Sequence, residues 1–147
     1  MSKAFTKDDR PDEPLVVRHR PPLPDGVPNY VTPRGLQALR AELAAAEPGA
    51  RRLELERRIA AAVLAPPPAD RDEIRFGARV RMQDAAGEIR QVQIVGVDEA
   101  NPAEGLIAFV APLARALLGR RAGDAVTLRA PGGTEELDVV SIEYDAG

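Results

Sequence analysis

Apolar and polar positions change their period twice along the chain. Up to residue 29 there is no period at all. Met1-Ser-Lys-Ala-Phe-Thr-Lys-Asp-Asp-Arg-Pro11 is polar, and Pro11, Pro14, Pro21, Pro22, Pro24 and Pro28 interrupt any helix. Such a stretch buries too little apolar surface to offset its ordering entropy, so residues 1–29 are expected to form an extended or disordered tail. Phe5 and Leu15-Val-Val17 read as idle apolar residues there, and His19 as solvated between Arg18 and Arg20. From Thr32 the period is helical. Thr32 is a natural N-cap, Pro33 a natural first helical residue, and Leu36, Leu39, Leu43 and Ala46 follow helical spacing. Glu47-Pro-Gly-Ala50 breaks that helix. A second segment puts Leu53, Glu56, Ile59-Ala60 and Val63 on one stripe and stops at Pro66-Pro-Pro68. Two helices joined so closely pack antiparallel, which predicts an αα-hairpin over 30–65. Its arms would be about 14 residues long, roughly 21 Å. The stripes are rich in alanine, so the hairpin would lean on the C-terminal domain for support.

Pro66-Pro-Pro-Ala-Asp70 reads as a stiff linker and domain boundary. Beyond it, over 66–147, the period becomes two. Ala78-Arg-Val-Arg-Met-Gln83 and Ile89-Arg-Gln-Val-Gln-Ile-Val95 flank a hairpin turn at Asp84-Ala-Ala-Gly87. Leu106-Ile-Ala-Phe-Val110 reads as a buried strand, Ala125–Arg129 as another, and Leu137–Tyr144 as a third beyond the turn Pro131-Gly-Gly133. Between them, Ala111–Asp124 is a short amphipathic helix with both ends marked. Pro112 suits its first turn; Leu113, Ala116 and Leu117 share a face; Gly119 suits a left-handed C-terminal cap. The expected fold is α+β: a short antiparallel helical hairpin, then an antiparallel sheet of five strands with one short helix on a face.

Composition narrows the chemistry. The chain carries 23 acidic and 20 basic residues, a net charge of −3, which argues against a general affinity for phosphate backbones. Aromatics make up 3%, so stacking platforms for single strands are scarce and the core must be aliphatic. There is no cysteine and one histidine, which removes the parts for common nucleophile–histidine pairs and zinc sites. No phosphate-cradling glycine motif occurs. The carboxylate pairs Asp8-Asp9, Asp12-Glu13, Asp98-Glu99 and Glu135-Glu136 read as solvated surface, and so do Arg120-Arg121. No apolar run is long enough to span a membrane and no secretory leader is apparent, so a cytoplasmic protein is expected.

Several ordered motifs resemble the C-terminal domain of the Gre (GreA/GreB) transcript-cleavage factors. They are Arg75-Phe-Gly-Ala-Arg-Val80, Ile94-Val-Gly-Val-Asp-Glu-Ala100, Ala111-Pro-Leu-Ala-Arg-Ala-Leu-Leu-Gly-Arg-Arg-Ala-Gly-Asp124 and Pro131-Gly-Gly133. Asn29–Leu43 resembles the opening of the family's N-terminal helix, and Met1-Ser-Lys-Ala-Phe-Thr6 the start of some members of the second Gre type. The resemblance implies an FKBP-like C-terminal fold that docks on bacterial RNA polymerase at the mouth of its secondary channel. It points to Asp98, Glu99, Pro112, Leu113 and Arg115 as docking residues.

Two departures qualify what the resemblance implies. Family members that stimulate cleavage have longer hairpin arms, tipped by acidic residues that help hold a catalytic magnesium ion in the polymerase. Here the tip is Ala44-Ala-Ala-Glu-Pro-Gly-Ala50, with one glutamate. Before the helix proline, where those factors have an aspartate or asparagine and a serine, this chain has Val110-Ala111. Both features are closer to the Gre-related group called regulator of nucleoside diphosphate kinase. The expectation is a polymerase-binding regulator with no catalytic residues, metal or cofactor of its own and no transcript-cleavage stimulation. It would compete with Gre-type factors, act as a monomer, and use no small-molecule substrate, membrane or sequence-specific nucleic acid contact. An FKBP-like fold also suggests an alternative, a peptidyl-prolyl isomerase or peptide-binding module.

Overall fold

The computed structural model describes residues 20–145. Phe5, Leu15–Val17 and His19 lie outside them. The first regular element is a short strand, β1 (Asn29–Val31), which leads into helix α1 (Pro33–Ala45). Thr32 caps α1, its hydroxyl accepting from the Gly35 N–H at 3.0 Å, and Pro33 fills the first helical position. Helix α2 (Ala50–Ala61) returns antiparallel after Gly49, whose φ of 147° suits a residue without a Cβ. Arg51 ties the two helices at 2.7 Å to Glu42.

The second helix departs from the expected stripe in two ways. Leu53 is 56% exposed and Leu55 is the buried residue, because the face turned toward α1 is fixed by packing that spacing alone does not specify. The helix also stops at Ala61. Residues Ala62–Leu64 form strand β2, which pairs in parallel with β1, Tyr30 opposite Val63. Val63 therefore belongs to a strand, held by a partner more than thirty positions away in the chain.

The main sheet contains β3 (Arg79–Asp84), β4 (Ile89–Val95), β5 (Leu106–Ala108), β6 (Ala125–Ala130) and β7 (Gly133–Glu143), in the order β5-β4-β3-β7-β6. Three of the four pairings are antiparallel, but β5 runs parallel to β4, Ile94 opposite Ile107. The expected all-antiparallel sheet is thus a mixed one. After β4 the chain makes the turn at 97–99 and a short 3-10 turn at Pro102–Glu104. This excursion brings it back beside Gln93, so Leu106–Ala108 runs along the last three residues of β4 in the same direction. Helix α3 (Pro112–Leu117) lies on the inner face of the sheet, with Ala114 and Leu117 fully buried among Ile74, Val80, Met82, Ile94, Val126 and Leu137. Each large aliphatic side chain so buried contributes about 1.5–3 kcal/mol. Gly119 takes the left-handed conformation expected of it, φ 88°, and its N–H donates to the Ile74 carbonyl at 2.8 Å.

Candidate functional site

Two surfaces flank the lead-in to α3. On α3 itself Pro112 and Arg115 are exposed, while Leu113 is half-buried against the core. Ala111 opens this helix without a side-chain cap, and its carbonyl accepts from the Arg115 N–H at 2.9 Å. Val110 and Ala111 have a packing role. They join Val97, Ala100 and Ala108 in a second apolar cluster that also receives Leu23. Leu23 lies within the stretch expected to be tail, so the apolar lead-in has an apolar partner from the N-terminal segment.

The other surface is the turn Gly96–Ala100, and here the reading of Asp98-Glu99 as solvated surface is corrected. The Asp98 side chain is fully covered. It accepts from Arg20 Nε at 2.6 Å and from Asn29 Nδ2 at 3.1 Å, and pairs with Arg58 at 3.5 Å. Glu99 accepts from the backbone N–H groups of Thr32 (2.9 Å) and Gly96 (3.0 Å) and from the Thr32 hydroxyl. Both acids are satisfied within the chain, as a covered carboxylate such as Asp98 must be and as the half-buried Glu99 also is. Asn29 is itself buried, and its Oδ1 accepts no hydrogen bond among the described residues.

Two glycines allow this approach. A Cβ on Gly35 would lie 2.1 Å from Glu99 Cδ, and one on Gly96 would lie 2.1 Å from the Tyr30 carbonyl oxygen. A glycine in the first turn of a helix and another after a strand are the signal that a second backbone or side chain comes close. That signal was present in the sequence, but not the identity of the partner. The arrangement places the base of the hairpin against the turn: β1 and the start of α1 on one side, Arg58 of α2 on the other.

A cleft of about 570 Å³ opens beside this base, lined among others by Val31, Arg34, Pro67, Phe76, Gln93 and Asp145. Burial pushes the Asp145 carboxyl up, but hydrogen bonds from Arg79 (2.7 Å) and Gln93 (3.3 Å), with the charges of Arg79 and Arg34, outweigh it and hold it below its ordinary value. Burial also pushes the Tyr144 phenol up, partly offset by the Arg75 N–H that donates to it at 2.8 Å. Tyr144 donates in turn to the Glu73 carbonyl. Arg120 and Arg121 are exposed, as expected, and Arg121 also pairs at the surface with Asp70, whose carboxyl that bond holds below its ordinary value. The aromatic rings are spent on packing: Tyr30, Phe76 and Phe109 stand 5.5–5.8 Å from one another, in tilted and edge-on contacts.

Comparison with known proteins gives this arrangement its class. Residues 68–144 match the family described as "Transcription elongation factor, GreA/GreB, C-term". Transcription elongation factor GreB of Neisseria meningitidis serogroup A is 35% identical over 153 aligned positions, covering 79% of this chain and 94% of that protein. Transcription elongation factor GreA of Methylococcus capsulatus is 48% identical over 73 positions, covering 49% and 46%. The chain thus spans about half the length of the GreA relative it matches. Among solved structures, GreA factor homolog 1 of Thermus thermophilus aligns at 25% identity with a TM-score of 0.45, over 78% of this chain and 97% of that one. A GreA/GreB factor from Nitrosomonas europaea aligns at 21% with a TM-score of 0.47, over 80% and 99%. The class is that of the transcription elongation factors. Within it, the chain belongs to the GreA/GreB family.

Proposed function

We propose that the protein binds bacterial RNA polymerase near the mouth of its secondary channel and regulates transcription there without stimulating transcript cleavage. Family membership supports the polymerase as partner. One observation carries the non-cleaving half: the hairpin helices Pro33–Ala45 and Ala50–Ala61 are short and end in a tip with the single carboxylate Glu47, beside Pro48. Thirteen helical residues reach roughly 20 Å at 1.5 Å per residue. A hard divalent ion needs several oxygen ligands held around it, and one glutamate on a short arm does not supply them.

The exposed face of α3 is the docking surface in this reading, with Pro112 and Arg115 at the contact and Leu113 holding the helix on the core. Asp98 and Glu99, also expected at the contact, have their carboxylates engaged by Arg20, Arg58 and Thr32 instead. The protein works in this reading as a cytoplasmic monomer that competes with cleavage-stimulating Gre factors. Pull-down with core RNA polymerase tests binding, and Arg115→Glu, a reversal of an exposed interface charge, should weaken it. A backtracked elongation complex tests the second half: the protein should leave the transcript uncut and should slow cutting by an added GreB. Absence of binding at micromolar concentration refutes the first claim, and transcript shortening by the protein alone refutes the second.

A further inference from the structure

The hairpin's own elements (β1, α1, α2 and β2) contact one another more than they contact any strand of the main sheet. Its direction therefore depends on a few point contacts at its base. The ring of Tyr30 packs on Phe76 and Phe109. Apart from an exposed ion pair of Arg34 with Asp145 at 4.0 Å, the polar contacts among the described residues come from one turn. Asp98 holds Arg58, near the end of α2, and Asn29 of β1, while Glu99 holds the N-cap of α1 through the Thr32 N–H and hydroxyl. One acid thus grips each helix, so the hairpin is held against rotation by two points instead of one.

We propose that Asp98 and Glu99 are positioning residues that fix the direction in which the hairpin leaves the sheet. Three features make the grip close to all-or-none. The Asp98 side chain has no exposed surface, so leaving its cations means finding another way to satisfy a buried charge. If Glu99 swings out, the N–H groups of Thr32 and Gly96, both buried residues, lose their acceptor. Gly35 and Gly96 sit so close to Glu99 and to the Tyr30 carbonyl that the contact exists only with the base fully seated. The cleft on the other side of the first turn of α1 leaves the hairpin room to tilt once released. The functional consequence, which rests on the polymerase reading above, is that these acids influence binding through the hairpin's direction and not by touching the polymerase.

The chain has no cysteine, so Ala44→Cys on α1 and Thr127→Cys on β6, both exposed positions, accept spin labels at those two sites alone. Pulsed electron resonance on the full chain should give one narrow distance between hairpin and sheet. Glu99→Ala, Asp98→Asn and Thr32→Val should each replace it by a broad or second distance, while Thr32→Ser, which keeps the hydroxyl, should retain it. Methyl spectra of Val80, Val126, Leu137 and Val139, buried in the sheet's core, check that the sheet is folded in every variant, and Thr32→Val serves if Glu99→Ala does not fold. An unchanged distance in folded Glu99→Ala and Thr32→Val overturns the proposal. If the seated direction falls to about a tenth of the population, the apparent Kd for core polymerase rises about tenfold. A changed distance with an unchanged Kd overturns the functional half. A wild-type protein that does not bind polymerase overturns the reading above it, and leaves the distance test of the hairpin's direction standing.

Discussion

Gly35→Ala separates local preference from tertiary contact because the two predict opposite signs. Gly35 lies in the first turn of α1, in ordinary helical backbone, and alanine there should favour the helix by up to about 1 kcal/mol. The structure opposes it. The new Cβ would sit 2.1 Å from Glu99 Cδ and 2.3 Å from its Oε1, so the carboxylate must swing away. The side chain is flexible and the movement itself is easy. What it abandons is not: the buried N–H groups of Thr32 and Gly96 lose their acceptor, at about 1–3 kcal/mol each. The net expectation is a destabilisation of about 1–5 kcal/mol, centred near 3. In urea, with a slope of about 1.5 kcal/mol/M, a loss of 3 lowers the unfolding midpoint by about 2 M. Gly96→Ala should be at least as damaging, since its Cβ meets the Tyr30 carbonyl oxygen, a backbone atom that cannot rotate out of the way. Arg40→Ala, on the exposed face of the same helix, should stay within about 0.5 kcal/mol of wild type. A Gly35→Ala protein as stable as wild type, or more stable, would refute the reasoning, because helix propensity would then outweigh the contact with Glu99.

The same geometry sets three other expectations. Leu117→Ala empties a fully buried position under α3 and should lower stability by about 2–5 kcal/mol, read as a shifted urea midpoint. Asp145 has its carboxyl held below its ordinary value, so its contribution to stability is complete above that ordinary value and is lost as pH falls through the lower folded one. Arg79→Met should move the Asp145 titration upward, which a carboxyl NMR titration reads directly. Tyr144→Phe removes the hydroxyl that joins the Glu73 carbonyl to the Arg75 N–H and should destabilise by about 1–2 kcal/mol, read as a shifted urea midpoint.

The sequence carried the local elements well because their signals are local. Thr32 and Pro33 mark the start of α1, Pro112 and Gly119 bracket α3, and the alternation around Asp84–Gly87 sets a hairpin whose turn is closed by Asp84 accepting from Ala86 and Glu88. Each depends on residues within a few positions of one another. The stripe on α2 failed at Leu53 and Leu55 because two readings of a short alanine-rich helix differ by little, and only the surface it meets chooses between them. Strand β2 has no local signal of its own, because nothing within Ala62–Leu64 announces that Asn29–Val31 will lie beside it.

The candidate site divides along the same line. The family motifs, the exposed proline-led helix and the short hairpin tip are properties of contiguous residues, and the sequence by itself determined them. The parallel seating of β5, the seating of the hairpin, the burial of the Asp98 side chain and the engagement of Glu99 were decided only in three dimensions. An acidic pair in a polar loop is solvated unless something distant covers it. Here the covering groups are Thr32, 67 positions before Glu99, and Arg20, 78 positions before Asp98. The physical reason is the desolvation of charge. A carboxylate enters a protein interior only where donors and cations already converge, and that convergence belongs to the tertiary fold and to no segment of the chain.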